Sequence, residues 1–270
     1  MARLCALWLC LLFAGTAVAL PIHAPVPGGV AVIDLGSASQ PTPTARWGEQ
    51  ALAVVRERGR WFVLLGIPLD TLPGDLEIKV RQGATDSSRT IAIGVKNYPE
   101  QRLTIKNQRK VEPNPDDMKR ISREAEVTAA IKARFSETEP ATDFMLPANG
   151  PLSSRFGLRR IFNGLPRNPH AGLDVAVGTG VPVKAPADGV VANTGDYFFN
   201  GNTVFVDHGQ GLITAYMHLS RIDVRAGQPV QKGEQLGAAG ATGRATGAHL
   251  HWAVILNGTP VDPELFIRRP

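Results

Sequence analysis

Five residues in three short stretches carry the chemistry this chain can be expected to do. They are His170 and Asp174 in HAGLD, His218 in YMHL, and His249 and His251 in HLH. In extended chain, residues four apart share a face, so His170 and Asp174 can act together. Period two likewise aims His249 and His251 one way, with Ala253 and Ile255 behind them, and turns Leu250 and Trp252 the other way. Taken singly these motifs mean little. A lone strand histidine is ordinarily a satisfied, half-buried residue, and H-x-x-x-D arises often by chance. The H-x-H pair says more, because two neighbouring imidazoles repel if both are charged and so call for a metal or for neutrality. Together, two imidazoles and a carboxylate are what a catalytic Zn²⁺ takes, leaving its fourth tetrahedral position to water. Two histidines then remain, which matches a need for proton transfer beside a metal. Thiolates cannot substitute, since the only cysteines are Cys5 and Cys10. No H-E-x-x-H motif supplies a carboxylate base, so histidine would have to take that role. His208, in VDHGQG, falls where a hairpin turn is expected and reads as a turn residue, not a ligand.

The elements that must position these side chains are mostly strands. Residues 1–19 read as a secretory signal peptide: Arg3, an apolar stretch over 4–14, and the small-residue site Ala17-Val18-Ala19. The apolar run is too short to span a membrane comfortably, so no membrane span is expected after cleavage. Both cysteines leave with this peptide, and the mature chain must rely on packing rather than disulfides. Residues 20–48 are rich in Pro, Gly and Ser, and no strand is assigned to them. Short β-type runs follow at 51–55, 61–67, 76–80, 90–95 and 102–105, separated by glycine turns, and predict a small antiparallel sandwich over residues 20–112. The period then changes. Asn114 can cap, Pro115 fits the first helical position, and Asp116 and Asp117 favour a helix N-terminus. Met118, Ile121, Ala125, Thr128, Ile131 and Phe135 recur every three or four residues, predicting an amphipathic connector helix within 113–142, packed along one domain. Strand signals return at 172–177, 182–185, 189–191, 203–207, 213–218, 235–238 and 250–256, in a second domain over 143–270. The expected fold class is all-β: an N-terminal Ig-like sandwich, a helical connector and a C-terminal antiparallel sheet. The formal net charge is +5, but no basic run is interleaved with aromatics, which argues against nucleic acid as a partner.

From residue 144 onward, HAGLDVAV, PVKAPADGVV, GNTVFVDHGQGLITAYMHLS, GEQLGAAGATGRATGAHLHWAV and VDP resemble, in order and spacing, the M23 family of zinc metallopeptidases, the LytM-type or lysostaphin-like endopeptidases. The N-terminal part resembles the β-sandwich that precedes the peptidase in one bacterial branch. The resemblance implies one Zn²⁺ per chain, held by His170, Asp174 and His251. It implies that His249 faces the catalytic water and that His218 completes the catalytic pair. The implied partner is a stem or cross-link peptide of peptidoglycan, cut at a D-Ala–diaminopimelate link rather than a glycine bridge, by a monomer in a Gram-negative periplasm. The loops RRIFNGLPRNP and GDYFFNGN are expected to wall the groove, with Tyr197, Phe198 and Asn163 as candidate walls. The N-terminal domain is expected to cover that groove in part.

Three rivals compete. Relatives that have lost zinc act as binding modules that activate cell-wall amidases, but here every ligand position is retained. APADGVV and VQKGEQLG also look like biotinyl or lipoyl carrier hairpins, yet Lys184 and Lys232 do not sit at exposed hairpin tips. A metal-storage protein would want a closed ligand shell rather than two spare imidazoles.

Overall fold

The strand Arg60–Gly66 sends its side chains into two different cores. Val63 and Leu65 join one apolar cluster with Ala31, Val54, Ile78 and Ile91, while Leu64 joins another with Val30, Ala53, Leu256 and Val261. The structure, a computed structural model, describes residues 20–267. The leader assigned to residues 1–19, with Cys5 and Cys10, lies outside the described residues. Among the described residues, no helix is long and apolar enough to cross a membrane.

The first cluster fills the N-terminal sandwich. Val30–Ser37, Arg60–Gly66 and Ala53–Glu57 form one sheet, and Gln50–Ala51, Thr44–Trp47, Gly74–Gln82 and Thr85–Ile93 form the other, each in that order. Two of these strands, Val30–Ser37 and Thr44–Trp47, fall in the stretch to which no strand was assigned. Its prolines lie between strands rather than within them, so composition averaged over the stretch hides short ladders. The second cluster is shared with the C-terminal domain. Gly66 permits this contact, because a Cβ there would come within 2.6 Å of the Leu256 carbonyl oxygen.

The C-terminal sheet runs Pro229–Val230, Gly189–Tyr197, Gly201–Asp207, Leu212–Leu219, Leu250–Leu256, Leu173–Val175, Leu152–Ser154, with every pairing antiparallel. Leu250–Leu256 is buried along its whole length. Leu250, Trp252 and Val254 face the shared core, and Ala253 and Ile255 face the other side with Phe205, Ile213 and Ile131. This is the two-faced strand that the period of HLHWAVIL predicts.

Ile131 comes from the helix Pro115–Lys132. The Asn114 side chain accepts from the Asp117 amide at 2.8 Å and Asp117 accepts from the Asn114 amide at 3.3 Å, a reciprocal cap. The expected apolar stripe is shallow, however: Met118 is 51% exposed. Polar contacts hold that end instead, namely Arg109 to Asp117 at 2.6 Å and Glu124 to the Phe198 amide at 2.7 Å. Just before the helix, Glu100–Leu103 pairs in parallel with Arg159–Phe162, tying the segment that follows the sandwich to the C-terminal domain.

Candidate metal centre

Asp174 and His251 are direct register partners on neighbouring antiparallel strands. Asp174 Oδ1 lies 2.8 Å from His251 Nδ1. His170 enters from the preceding loop, whose backbone is pinned by Gly157 N–H to His170 O at 2.8 Å and His170 N–H to Leu158 O at 2.9 Å. Its Nε2 lies 3.0 Å from Asp174 Oδ1 and 2.9 Å from His251 Nδ1. Gly172 lets the rings close up, since a Cβ there would meet His251 Nε2 at 2.6 Å.

His218 reaches the same place by an irregularity. In the strand Leu212–Leu219, Tyr216 and Leu219 both face the shared core, which strict alternation forbids. The register against Gly201–Asp207 slips by one residue at this point, and His218 takes φ of 64°. This bulge with a left-handed residue turns His218 away from the core and toward the HLH face. Its ring centroid lies 4.8 Å from that of His249 and 6.0 Å from that of His251.

Carbonyl groups select the tautomers. His170 Nδ1–H donates to Arg155 O at 2.7 Å, leaving the Nε2 lone pair aimed at the cluster. His218 Nδ1–H donates to Thr242 O at 2.8 Å and His249 Nδ1–H to Gly247 O at 2.9 Å, so Nε2 of each is an acceptor. Burial, and then His251 and His249, push His218 down to about 3. Burial likewise holds His251 down to about 4, against the pull of Asp174. Both are therefore neutral at ordinary pH. Burial alone would raise Asp174, but the His170 and His251 rings against it overcome this and hold the carboxyl far below the usual range.

Two ring nitrogens and a carboxylate oxygen converging on one point fit a cation. Lone pairs so placed repel unless a proton or a metal sits among them. The chemistry of the set, two imidazoles and one carboxylate, is that of a catalytic zinc site. A tetrahedral ion with bonds of about 2.1 Å sets its donors about 3.4 Å apart. The present separations of 2.8–3.0 Å thus need to open by only about half an ångström to admit one.

Two cavities, of about 330 and 270 Å³, meet at this centre. Gln101, Leu103 and Ile105, from the segment after the sandwich, line the larger one beside Asp174 and His249. Both expected loops line the cavities, Phe162 and Asn168 from one and Phe199 and Asn200 from the other, but the three side chains named as walls do not. Tyr197 lies in an apolar cluster with Phe205, and Phe198 is buried beneath Lys110. Asn163 instead grips the covering segment, accepting from Ile105 N–H at 2.8 Å and donating to Ile105 O at 3.0 Å. Phe162, Phe199 and Arg244 line the cavities in their place, and no spacing pattern in the sequence singles them out. His208 is at the strand end, as expected, but its ring is buried. Its Nδ1–H donates to Asp188 O at 2.7 Å, and its Nε2 is 2.8 Å from Thr214 Oγ1, far from the converging set.

The family model "Peptidase family M23" matches residues 168–263, and "Peptidase family M23 N-terminal domain" matches residues 23–96. Peptidoglycan DD-endopeptidase ShyA of Vibrio cholerae is 44% identical over 112 residues, which is 41% of this chain and 26% of that protein. DD-carboxypeptidase/endopeptidase Mpg of Neisseria meningitidis is 45% identical over 94 residues, 35% of this chain and 22% of that protein. The match thus spans about a quarter of the length of these relatives. The crystal structure of an M23 chain from Pseudomonas aeruginosa superposes with a TM-score of 0.78 at 46% identity, covering 91% of this chain and 96% of that one. With sandwich, connector and metal-competent sheet all matched over nearly the whole length of that structure, the chain belongs to peptidase family M23.

Proposed function

We propose that this chain is a zinc-dependent endopeptidase, exported to the periplasm, that hydrolyses D-Ala–diaminopimelate cross-links of peptidoglycan. One observation carries the reading. Beside the converging set of His170, Asp174 and His251 stand two further imidazoles, His218 and His249, whose Nδ1–H groups are already committed to carbonyls. Storage or structural sites have no use for such a pair. The names of ShyA and Mpg support the substrate, and the leader assigned to residues 1–19 supports export.

An ion held by His170 Nε2, Asp174 Oδ1 and His251 Nδ1 would supply Lewis acidity and bring a water's pKa from about 16 to near 7. The peptide lies across the waist between the two cavities, its scissile carbonyl over the centre. One of His218 and His249 takes a proton at Nε2 as the water attacks. The imidazolium so formed hydrogen-bonds the oxygen that becomes anionic and then hands the same proton to the leaving amine, which restores the neutral pair. The Arg155 carbonyl keeps His170 in its ligating tautomer. The test is mass spectrometry of fragments released from purified sacculi, with and without chelator. Release of monomers ending in D-Ala, abolished by chelation and restored by zinc, is the expected result. Intact sacculi in every condition would refute the reading.

A further inference from the structure

The two cavities share four side chains: Arg160, His218, Arg244 and His251. The histidines belong to the centre already described, Arg160 touches it through Asp174, and Arg244 has no role in it. Arg160 gives Nη2–H to Asp174 Oδ2 at 3.3 Å, and among the described residues its buried Nε–H has no partner. Arg244 is stacked on two rings, its guanidinium carbon 4.2 Å from the Phe199 centroid and 5.0 Å from that of Phe162. A guanidinium has five N–H donors. Among the described residues, the Arg244 side chain makes one long hydrogen bond, to Lys110 O at 3.4 Å, and meets no carboxylate. Arg167, close enough to repel it, is itself bound, among the described residues, only to the carbonyls of Pro166 and Val111. Burial, then Arg160 and Arg167, push Arg244 down to about 10. Three guanidiniums therefore gather where only one of them, Arg160, meets a carboxylate, and a divalent ion would add to the excess. Such a site is completed by an anion.

We propose that Arg244, with Arg160 beside it, forms a subsite for a substrate carboxylate, the free one on the carbon that bears the scissile nitrogen. Stacking on Phe162 and Phe199 covers the guanidinium faces and leaves its hydrogen-bonding edge, the part that matches a carboxylate with two parallel bonds. Its place at the waist puts that edge within a few bonds of the amide to be cut. In a D-Ala–diaminopimelate link the carbon on the leaving nitrogen carries a free carboxylate; in a glycine bridge it carries none. The inference rests on the endopeptidase reading and refines it to a requirement for charge at one substrate position.

The experiment compares two cross-linked dimers that differ only in whether this carboxylate is free or amidated. Wild-type kcat/KM is expected to be about 10- to 100-fold higher for the free acid. Arg244→Gln should lose that preference by slowing only on the free acid, and Arg244→Lys should recover part of it. Equal wild-type rates on both dimers, or an equal loss on both in Arg244→Gln, would overturn the subsite. A second arm needs no turnover. In chelator-stripped wild-type protein, calorimetry should show the free-acid product fragment binding at least about tenfold tighter than its amide; equal binding overturns the subsite. Failure to cleave either dimer would instead sink the endopeptidase reading, with this binding arm still deciding the subsite.

Discussion

His218 and His249 stand with ring centroids 4.8 Å apart, and both give Nδ1–H to carbonyls of one loop, Thr242 and Gly247. A single loop therefore sets the tautomer of both and leaves two Nε2 lone pairs beside the converging set. Replacing either by alanine should lower kcat by about 10²- to 10⁴-fold with metal content unchanged. His251→Ala should instead lose the metal. Elemental analysis alongside kinetics separates the two classes, and loss of zinc from His218→Ala would refute the division of labour.

Gly172 has no left-handed backbone to preserve, so its role is steric. In Gly172→Ala the new methyl meets His251 Nε2 and the Trp252 carbonyl oxygen, each at 2.6 Å. The ring must shift, and zinc affinity is expected to fall about 10- to 100-fold, as for other changes that misorient a ligand. Competition with a chromogenic chelator measures it.

The left-handed backbone at His218, φ 64°, is the cost of the bulge that turns its ring toward His249. Glycine bears that conformation freely. His218→Gly should therefore be more stable than His218→Ala by about 1 kcal/mol, although both are inactive. Urea denaturation of the two variants decides it; a more stable alanine variant would show that no strain resides there.

His208 predicts a pH dependence that the metal does not touch. Burial pushes it from 6.5 down to about 4, with Asp188 O, Asp207 and Asp188 pulling only weakly the other way. In the unfolded chain it takes a proton near pH 6.5, while in the folded protein it stays neutral to about pH 4. The unfolded state thus binds more protons between these values. Stability is complete above pH 6.5 and falls, by about 3 kcal/mol in all, as pH drops toward 4. His208→Gln should flatten this part of the profile.

Asn163 lies at φ 50°, so Asn163→Gly keeps the backbone while releasing both hydrogen bonds to Ile105. With the covering segment loosened, cleavage of soluble cross-linked dimers is expected to rise up to about tenfold, the equivalent of one to two hydrogen bonds. An unchanged rate would show that Gln101, Leu103 and Ile105 shape the cavity without limiting entry. Excising the whole sandwich is a poorer test, because Val30, Ala53 and Leu64 share their core with Leu256 and Val261.

The convergence of His170, Asp174 and His251 was legible in the sequence because it depends on local spacing. H-x-x-x-D in extended chain and H-x-H on a strand aim their members one way whatever surrounds them, and the alternation of HLHWAVIL already sorts Trp252 from Ala253. Cap and period likewise marked the helix, since Asn114 and Asp117 bond within one turn. Other features arise between residues far apart in the chain. Strict alternation would send His218 into the core with Tyr216, and only pairing with Gly201–Asp207 creates the bulge that turns it out. Arg160 and Arg244 are unremarkable in sequence, and become a site only where Phe162 and Phe199 bring them to the waist of a cleft. The segment over that cleft follows from pairing Glu100–Leu103 with Arg159–Phe162. Short-range periodicity thus determined which side chains aim the same way; long-range pairing, which no local pattern encodes, decided what surrounds them.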